Sequence, residues 1–225
     1  AGDLEIAHKL TDTIKNIDVW AVALNGFAVY CIYCGLTYFI PFLNTIYLLP
    51  ATAVGAYGII NQYGLKMVGG PIGGLMSDKV FKSPSKWIRC GFLICIVAMG
   101  AFLMVPHEQL GASGNWIVGA ACTLGFGAIV FTMRSVFFAP MDEVHVPTES
   151  AGAAMSLASL IIYLPNSFAY LMYGTFLDTY PGMTGFRIVF CVIIAWAVVG
   201  ILISSFLIHR VKVHQKDPEP ETERN

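Results

Sequence analysis

Six apolar stretches, each close to the roughly 20 residues needed to cross a bilayer core, constrain this chain more than any other feature. They cover residues 19–40, 52–76, 87–105, 116–139, 152–177 and 186–208. Lipid offers a backbone no hydrogen-bond partners, so stretches of this length and composition predict helices that satisfy their own N–H and C=O groups. Only 12% of the 225 residues are charged and 56% are hydrophobic, against roughly 25% charged in an average soluble domain. Charge that sparse cannot cover a soluble surface. The expected fold class is an all-α membrane protein of six transmembrane helices over 19–208, with a cytoplasmic linker at 1–18 and a disordered cytoplasmic tail at 209–225. The connecting segments 41–51, 77–86, 106–115, 140–151 and 178–185 leave no room for an extramembrane catalytic domain.

Orientation follows from where Lys and Arg fall in short loops. Lys9 and Lys15 precede the first span. Lys79, Lys82, Lys86 and Arg89 cluster at the second loop, and Arg210, Lys212 and Lys216 follow the last span; the first and third loops have neither residue type. Both ends of the segment are therefore expected on the cytoplasmic side of an inner or plasma membrane. A formal net charge of −1 gives no basic field for nucleic acid. All six cysteines lie in or beside apolar stretches, which predicts buried free thiols. Cys31 and Cys34 form a C-x-x-C, but without the aqueous setting and further ligands of a redox or metal site. The five histidines are dispersed among loops and ends, so neither a metal, a cofactor nor an enzymatic centre is expected. The chain opens Ala1-Gly2-Asp3 with no signal-peptide pattern, and reads as a piece of something longer.

The most specific local signal is Gly73-Gly74-Leu75-Met76-Ser77-Asp78-Lys79, which closes the second span and opens the basic loop. It resembles the G-x-x-x-D-(R/K) loop of the major facilitator superfamily, which joins the second and third helices of each six-helix half. The residues after it, Val80-Phe81-Lys82-Ser83-Pro84, depart from the family's usual Gly and further basic residues. Gly70-Pro71-Ile72-Gly73-Gly74, Val146 to Gly152 and Tyr163-Leu164-Pro165-Asn166 extend the likeness, which is to the C-terminal half of bacterial carriers for sugars or organic anions related to organophosphate antiporters. The resemblance implies one half of a twelve-helix transporter working by alternating access against an N-terminal six-helix half. It also implies proton symport or exchange for a counter-transported anion.

Several residues are candidates for that role. Lys66 lies about two thirds along the second span, where a charge costs at least roughly 2.5–3.5 kcal/mol on insertion scales. It either faces a cavity and attracts an anion, as a basic residue does in the organophosphate-type relatives, or snorkels to the membrane edge. Asn61, Gln62 and Tyr63 precede it by about a turn, and Asn25, Tyr163 and Asn166 add polar groups at depth; they line a cavity or bond across helices. Asp78 is placed to accept from the amino end of the span beginning at Gly152, forming a latch with Gly74 and Lys79 beside it, or is simply solvated. Arg134 is followed by Asp142, Glu143 and Glu149, an inner gate of breakable ion pairs or static anchoring. Pro71 and Pro165 each remove a backbone hydrogen bond and permit a hinge. The reading is secondary transport of a small solute, a sugar, sugar acid or organic anion; the alternative is a complete six-helix channel or scaffold.

Overall fold

In the computed structural model, which describes residue 8 and residues 11–216, helix follows helix through short turns, with no strand among those residues. Helix α1 (Ile17–Gly35) starts where Asn16 accepts from the Asp18 N–H at 2.9 Å, a side-chain cap. A tight turn at Leu36–Tyr38 leads into α2 (Phe39–Ile46). Next come α3 (Ala51–Ile59), a π-turn at Ile60–Gly64, α4 (Leu65–Leu75) and a second π-turn at Met76–Val80. Ser83 caps α5 (Pro84–Met104), whose first turn holds Pro84, a position where the missing N–H costs nothing. The short α6 (His107–Ala112) and the long α7 (Trp116–Ser135) follow, then α8 (Pro140–Glu143) and α9 (Ala151–Tyr163). A tight turn at Leu164–Ser167 joins α9 to α10 (Ala169–Thr179), and α11 (Met183–Lys216) closes the order.

Five helical paths are long and apolar enough to cross a membrane: Ile17–Ile46, Pro84–Met104, Trp116–Ser135, Ala151–Thr179 and Met183–His214. The remaining expected span, 52–76, is helical along its length but does not join those five. Asn61, Gln62, Lys66 and seven glycines between residues 51 and 80 dilute its apolar character. Two further expectations are corrected. Residues 209–216 are not a disordered tail but the last turns of α11, and residues 11–15 of the linker are helical. The rest of the linker and tail, 1–7, 9, 10 and 217–225, lies outside the described residues.

Helix α1 is the hub, packed against α7, α9, α10 and α11, with Val19, Val22, Ala23, Ala28 and Cys31 fully buried. Large apolar side chains such as Leu93, Val97, Met104, Leu171 and Leu202 are exposed, the pattern of a surface meant for lipid. Of the six thiols, Cys31, Cys34 and Cys95 are buried and Cys90 half-buried, whereas Cys122 and Cys191 are exposed. Every cysteine is free, but burial does not extend to all six as expected.

The second helical path meets α7 along a row of every fourth residue: Tyr57, Asn61, Leu65, Gly69 and Gly73 face Thr123, Gly127, Phe131 and Ser135. Tyr57 donates to Thr123 Oγ1 at 2.9 Å and Ser135 to the Gly69 carbonyl at 3.2 Å. A regular α-helix turns 100° per residue, so four steps of four would drift about 160° off the interface. The π-turn at Ile60–Gly64 absorbs one extra residue and cuts that drift to about 60°. The face stays on α7, and Gln62, Tyr63 and Lys66 are turned outward. Rows of this kind on both helices are the i±4 ridges that interlock in helix pairs, and Gly69 and Gly73 allow the close approach.

Candidate functional site

Three helices and a turn bring polar and aromatic groups together. Tyr30 and Tyr33 come from α1, Arg134 from the last turn of α7, Tyr163 from the end of α9 and Asn166 from the turn after it. The Arg134 guanidinium carbon lies 4.2 Å from the Tyr33 ring centre and 5.7 Å from that of Tyr30. Tyr163 meets Tyr30 edge-on with centroids 5.1 Å apart, and the Tyr30 hydroxyl donates to Asn166 Oδ1 at 3.2 Å. Tyr163 and Asn166 are exposed, Tyr33 and Arg134 half-buried, so the cluster opens on one side of the bundle. Tyr33 is 15 residues from Asp18 and 14 from Tyr47. At 1.5 Å per residue those are about 22 and 21 Å of rise, which sets Tyr33 near the middle of the Ile17–Ile46 path, level with the last turn of α7.

Arg134 carries no compensating carboxylate there. Among the described residues, the ion pairs are those of Asp18 with Arg210 and His214, and the buried Arg134 Nε has no hydrogen-bond partner. Two aromatic faces, each worth up to about 2 kcal/mol to a desolvated cation, offset much of the roughly 2.5–3.5 kcal/mol cost of such a charge at depth. They accept no N–H. The expected neutralisation by loop acids is corrected: Glu143 accepts from Ser85 N–H at 2.9 Å, from Ser83 Oγ at 2.5 Å and from Ser85 Oγ, capping α5 instead. Asp142 and Glu149 are exposed on the surface.

The other candidates are scattered. Lys66 is exposed, and with Gln62, Tyr63, Gly58 and Gly55 it lines an open groove of ≈ 440 Å³ on the outer side of the second path. Asn61 points the opposite way, buried against Gly127 with its Oδ1 unpaired. Asn25 is fully buried and accepts from Ser204 at 2.7 Å, so it serves the contact of α1 with α11 and lines no cavity. Asp78 and Lys79 are exposed on the second π-turn, where among the described residues Asp78 makes no hydrogen bond or ion pair, so the expected latch to the start of α9 is not formed. Gly74 faces open space. Pro165 sits in the break between α9 and α10, whereas Pro71 lies inside α4, which runs through it unbroken between the two π-turns.

Two constellations escaped the sequence reading. Asp18, buried at the start of α1, accepts from Arg210 Nε at 2.7 Å and Nη2 at 3.1 Å, and lies 2.8 Å from His214 Nε2. The local signal was the i, i+4 spacing of Arg210 and His214 on one helix face. At the other end, buried His107 lies 2.7 Å from the Phe102 carbonyl through Nε2 and 2.5 Å from Tyr47 Oη through Nδ1. A carbonyl only accepts, so Nε2 carries the proton, and in the neutral ring Nδ1 accepts from Tyr47. Burial lowers the His107 pKa from its ordinary value; the Phe102 carbonyl opposes this and the charge of Arg187 adds to it. Burial also pushes the Tyr47 hydroxyl up to about 12.

No family model matches the chain. It is 50% identical over 208 residues to the inner membrane protein YihN of Escherichia coli (strain K12), covering 92% of this chain and 48% of that protein. It is 26% identical over 221 residues to the inner membrane protein YqcE of the same organism, covering 95% of this chain and 50% of that one. The chain thus spans about half the length of the curated relatives it matches. An all-helical protein with five membrane-length apolar helices and relatives in the bacterial inner membrane is a membrane protein of that kind.

Proposed function

We propose that this chain is the C-terminal six-helix half of a carrier of the major facilitator type, and that the complete protein moves a small solute across the inner membrane by alternating access. The observation that carries this reading is the open patch of Arg134, Tyr33, Tyr30, Tyr163 and Asn166, level with the middle of the Ile17–Ile46 path. Polar groups at that depth are expensive and mark solute paths. Support comes from the Gly74 to Lys79 loop pattern and from relatives about twice as long. In this reading the second helical path is the sixth crossing, its polar outer side with Lys66 facing the other half, and both ends of the segment are cytoplasmic. Coupling is to protons or to a counter-transported anion; among the described residues no carboxylate lies in the patch.

The test is uptake and counterflow of labelled sugars, sugar acids and phosphorylated metabolites by the full-length protein in proteoliposomes, with and without a proton gradient. Saturable uptake with accelerated exchange from preloaded vesicles is the expected result. Uptake without saturation or exchange would identify a channel, and no flux of any solute would favour a scaffold.

A further inference from the structure

Arg134 and Lys66 are two cations within the apolar stretches, and they stand in different surroundings. Lys66 is exposed at the rim of a shallow groove, where a long flexible stem keeps an ammonium hydrated. Arg134 is held: Tyr33 covers its guanidinium at 4.2 Å, and its Nε is buried with nothing to donate to. Around it stand further groups able to donate. The Tyr30 hydroxyl is committed to Asn166 Oδ1, which leaves the Asn166 amide NH2 to donate, and the exposed Tyr163 hydroxyl is 5.1 Å across from Tyr30 by ring centres. A planar guanidinium with unspent N–H groups, flanked by amide and phenol donors and by aromatic walls, matches an oxoanion attached to a compact ring or polyol. The charged end would take the bidentate fork, and the body would lie against Tyr30, Tyr33 and Tyr163.

We propose that Arg134, rather than Lys66, is the receptor for the anionic group of the transported solute, a carboxylate or phosphate, with Asn166 and Tyr163 as auxiliary donors and Tyr33 holding the guanidinium in place. The proposal rests on the carrier reading and names the substrate class of that same patch.

The experiment uses the full-length protein in detergent and in proteoliposomes, with inorganic phosphate, glucuronate, glucose 6-phosphate and neutral glucose as probes. Binding is read by calorimetry and by thermal stabilisation, and transport by uptake. At least one anion should bind the wild type while glucose does not. Arg134→Gln should weaken that anion by roughly 10- to 150-fold, the worth of a charge-assisted hydrogen bond. Arg134→Lys, which keeps the charge and loses the fork, should fall between, and guards against a glutamine variant that fails to fold. Equal anion affinity in wild type and Arg134→Gln, a larger loss in Lys66→Gln than in Arg134→Gln, or no anion bound by the wild type would each overturn the assignment. Uptake of glucose indifferent to Arg134→Gln would overturn the receptor and leave the carrier standing. Anion binding that collapses in Arg134→Gln with no flux of any probe would uphold the receptor and sink the carrier.

Discussion

Replacing Glu143 with alanine is expected to loosen the first turn of α5 and to leave Arg134 untouched. The Glu143 carboxylate accepts from the backbone N–H of Ser85 and from the hydroxyls of Ser83 and Ser85, and Ser85 is fully buried. Without the acceptor, the Ser85 N–H and hydroxyl are left unsatisfied at roughly 1–3 kcal/mol each, and the negative charge at a helix amino end, worth about 0.3–1 kcal/mol, is lost as well. Glu143 is itself half-buried, so water recovers part of this, and about 2 kcal/mol remains as the expected local cost. At 1.4 kcal/mol per factor of ten, amides of the first α5 turn should exchange hydrogen roughly 30-fold faster in Glu143→Ala. Mass spectrometry of the peptide spanning residues 83–90 reads this directly. A double-mutant cycle then separates a cap from a gate: Glu143 with Ser85 should couple, and Glu143 with Arg134 should not. An exchange change under about threefold, or coupling to Arg134 above about 1 kcal/mol, would refute the reasoning.

Gly73→Leu should disrupt the contact between the second path and α7, because a side chain there collides with the Thr132 carbonyl and the Ser135 hydroxyl. A melting curve should show at least the 1–3 kcal/mol typical of overpacking, while Gly70→Ala, one turn along in open space, should shift it little. His107 favours the neutral form when folded, so its contribution is complete above its ordinary pKa of 6.5 and is lost as pH falls through its lowered value. Stability should therefore decline below about pH 6.5 and the decline should flatten in His107→Gln; an unchanged acid limb would remove His107 from the account. Asp18→Asn removes the charge and one of the two oxygens that Arg210 and His214 share as acceptors and should cost about 1–3 kcal/mol, with Arg210 partly solvated. Hydrogen exchange in residues 205–214 should rise accordingly, and an unchanged rate would mean that the pair adds nothing.

Long apolar runs made five membrane-length helices legible, because length and composition alone set that property. The second path was legible as helix but not as an equal sixth span, since its glycines and amides serve packing against α7 as well as exposure. Helix ends were misjudged where charge was taken for disorder: Arg210 and His214 sit on helix because Asp18, 192 residues away from Arg210, holds them. Arg134 was legible as a charge in an apolar run. Its surroundings were not, because the acids nearest in sequence lead elsewhere and its aromatic neighbours Tyr30 and Tyr33 come from α1, about a hundred residues earlier. Asn25 and Asn61 show the converse: an amide at membrane depth has the same letter whether it faces a path or a neighbouring helix.

The fourfold row between the second path and α7 acts as a notch code. Large meets small in alternation: Leu65 fits over Gly127, Phe131 fits over Gly69, and Gly73 takes the Ser135 hydroxyl. Sliding one helix by a single notch, about 6 Å, would set Leu65 against Phe131 in one direction and Gly69 against Gly127 over a void in the other. Such a pair has one register and no neighbouring one of comparable energy. It therefore travels as a single plank, and any rearrangement of the bundle must be taken up at the seams around it, such as the broken helix at Pro165.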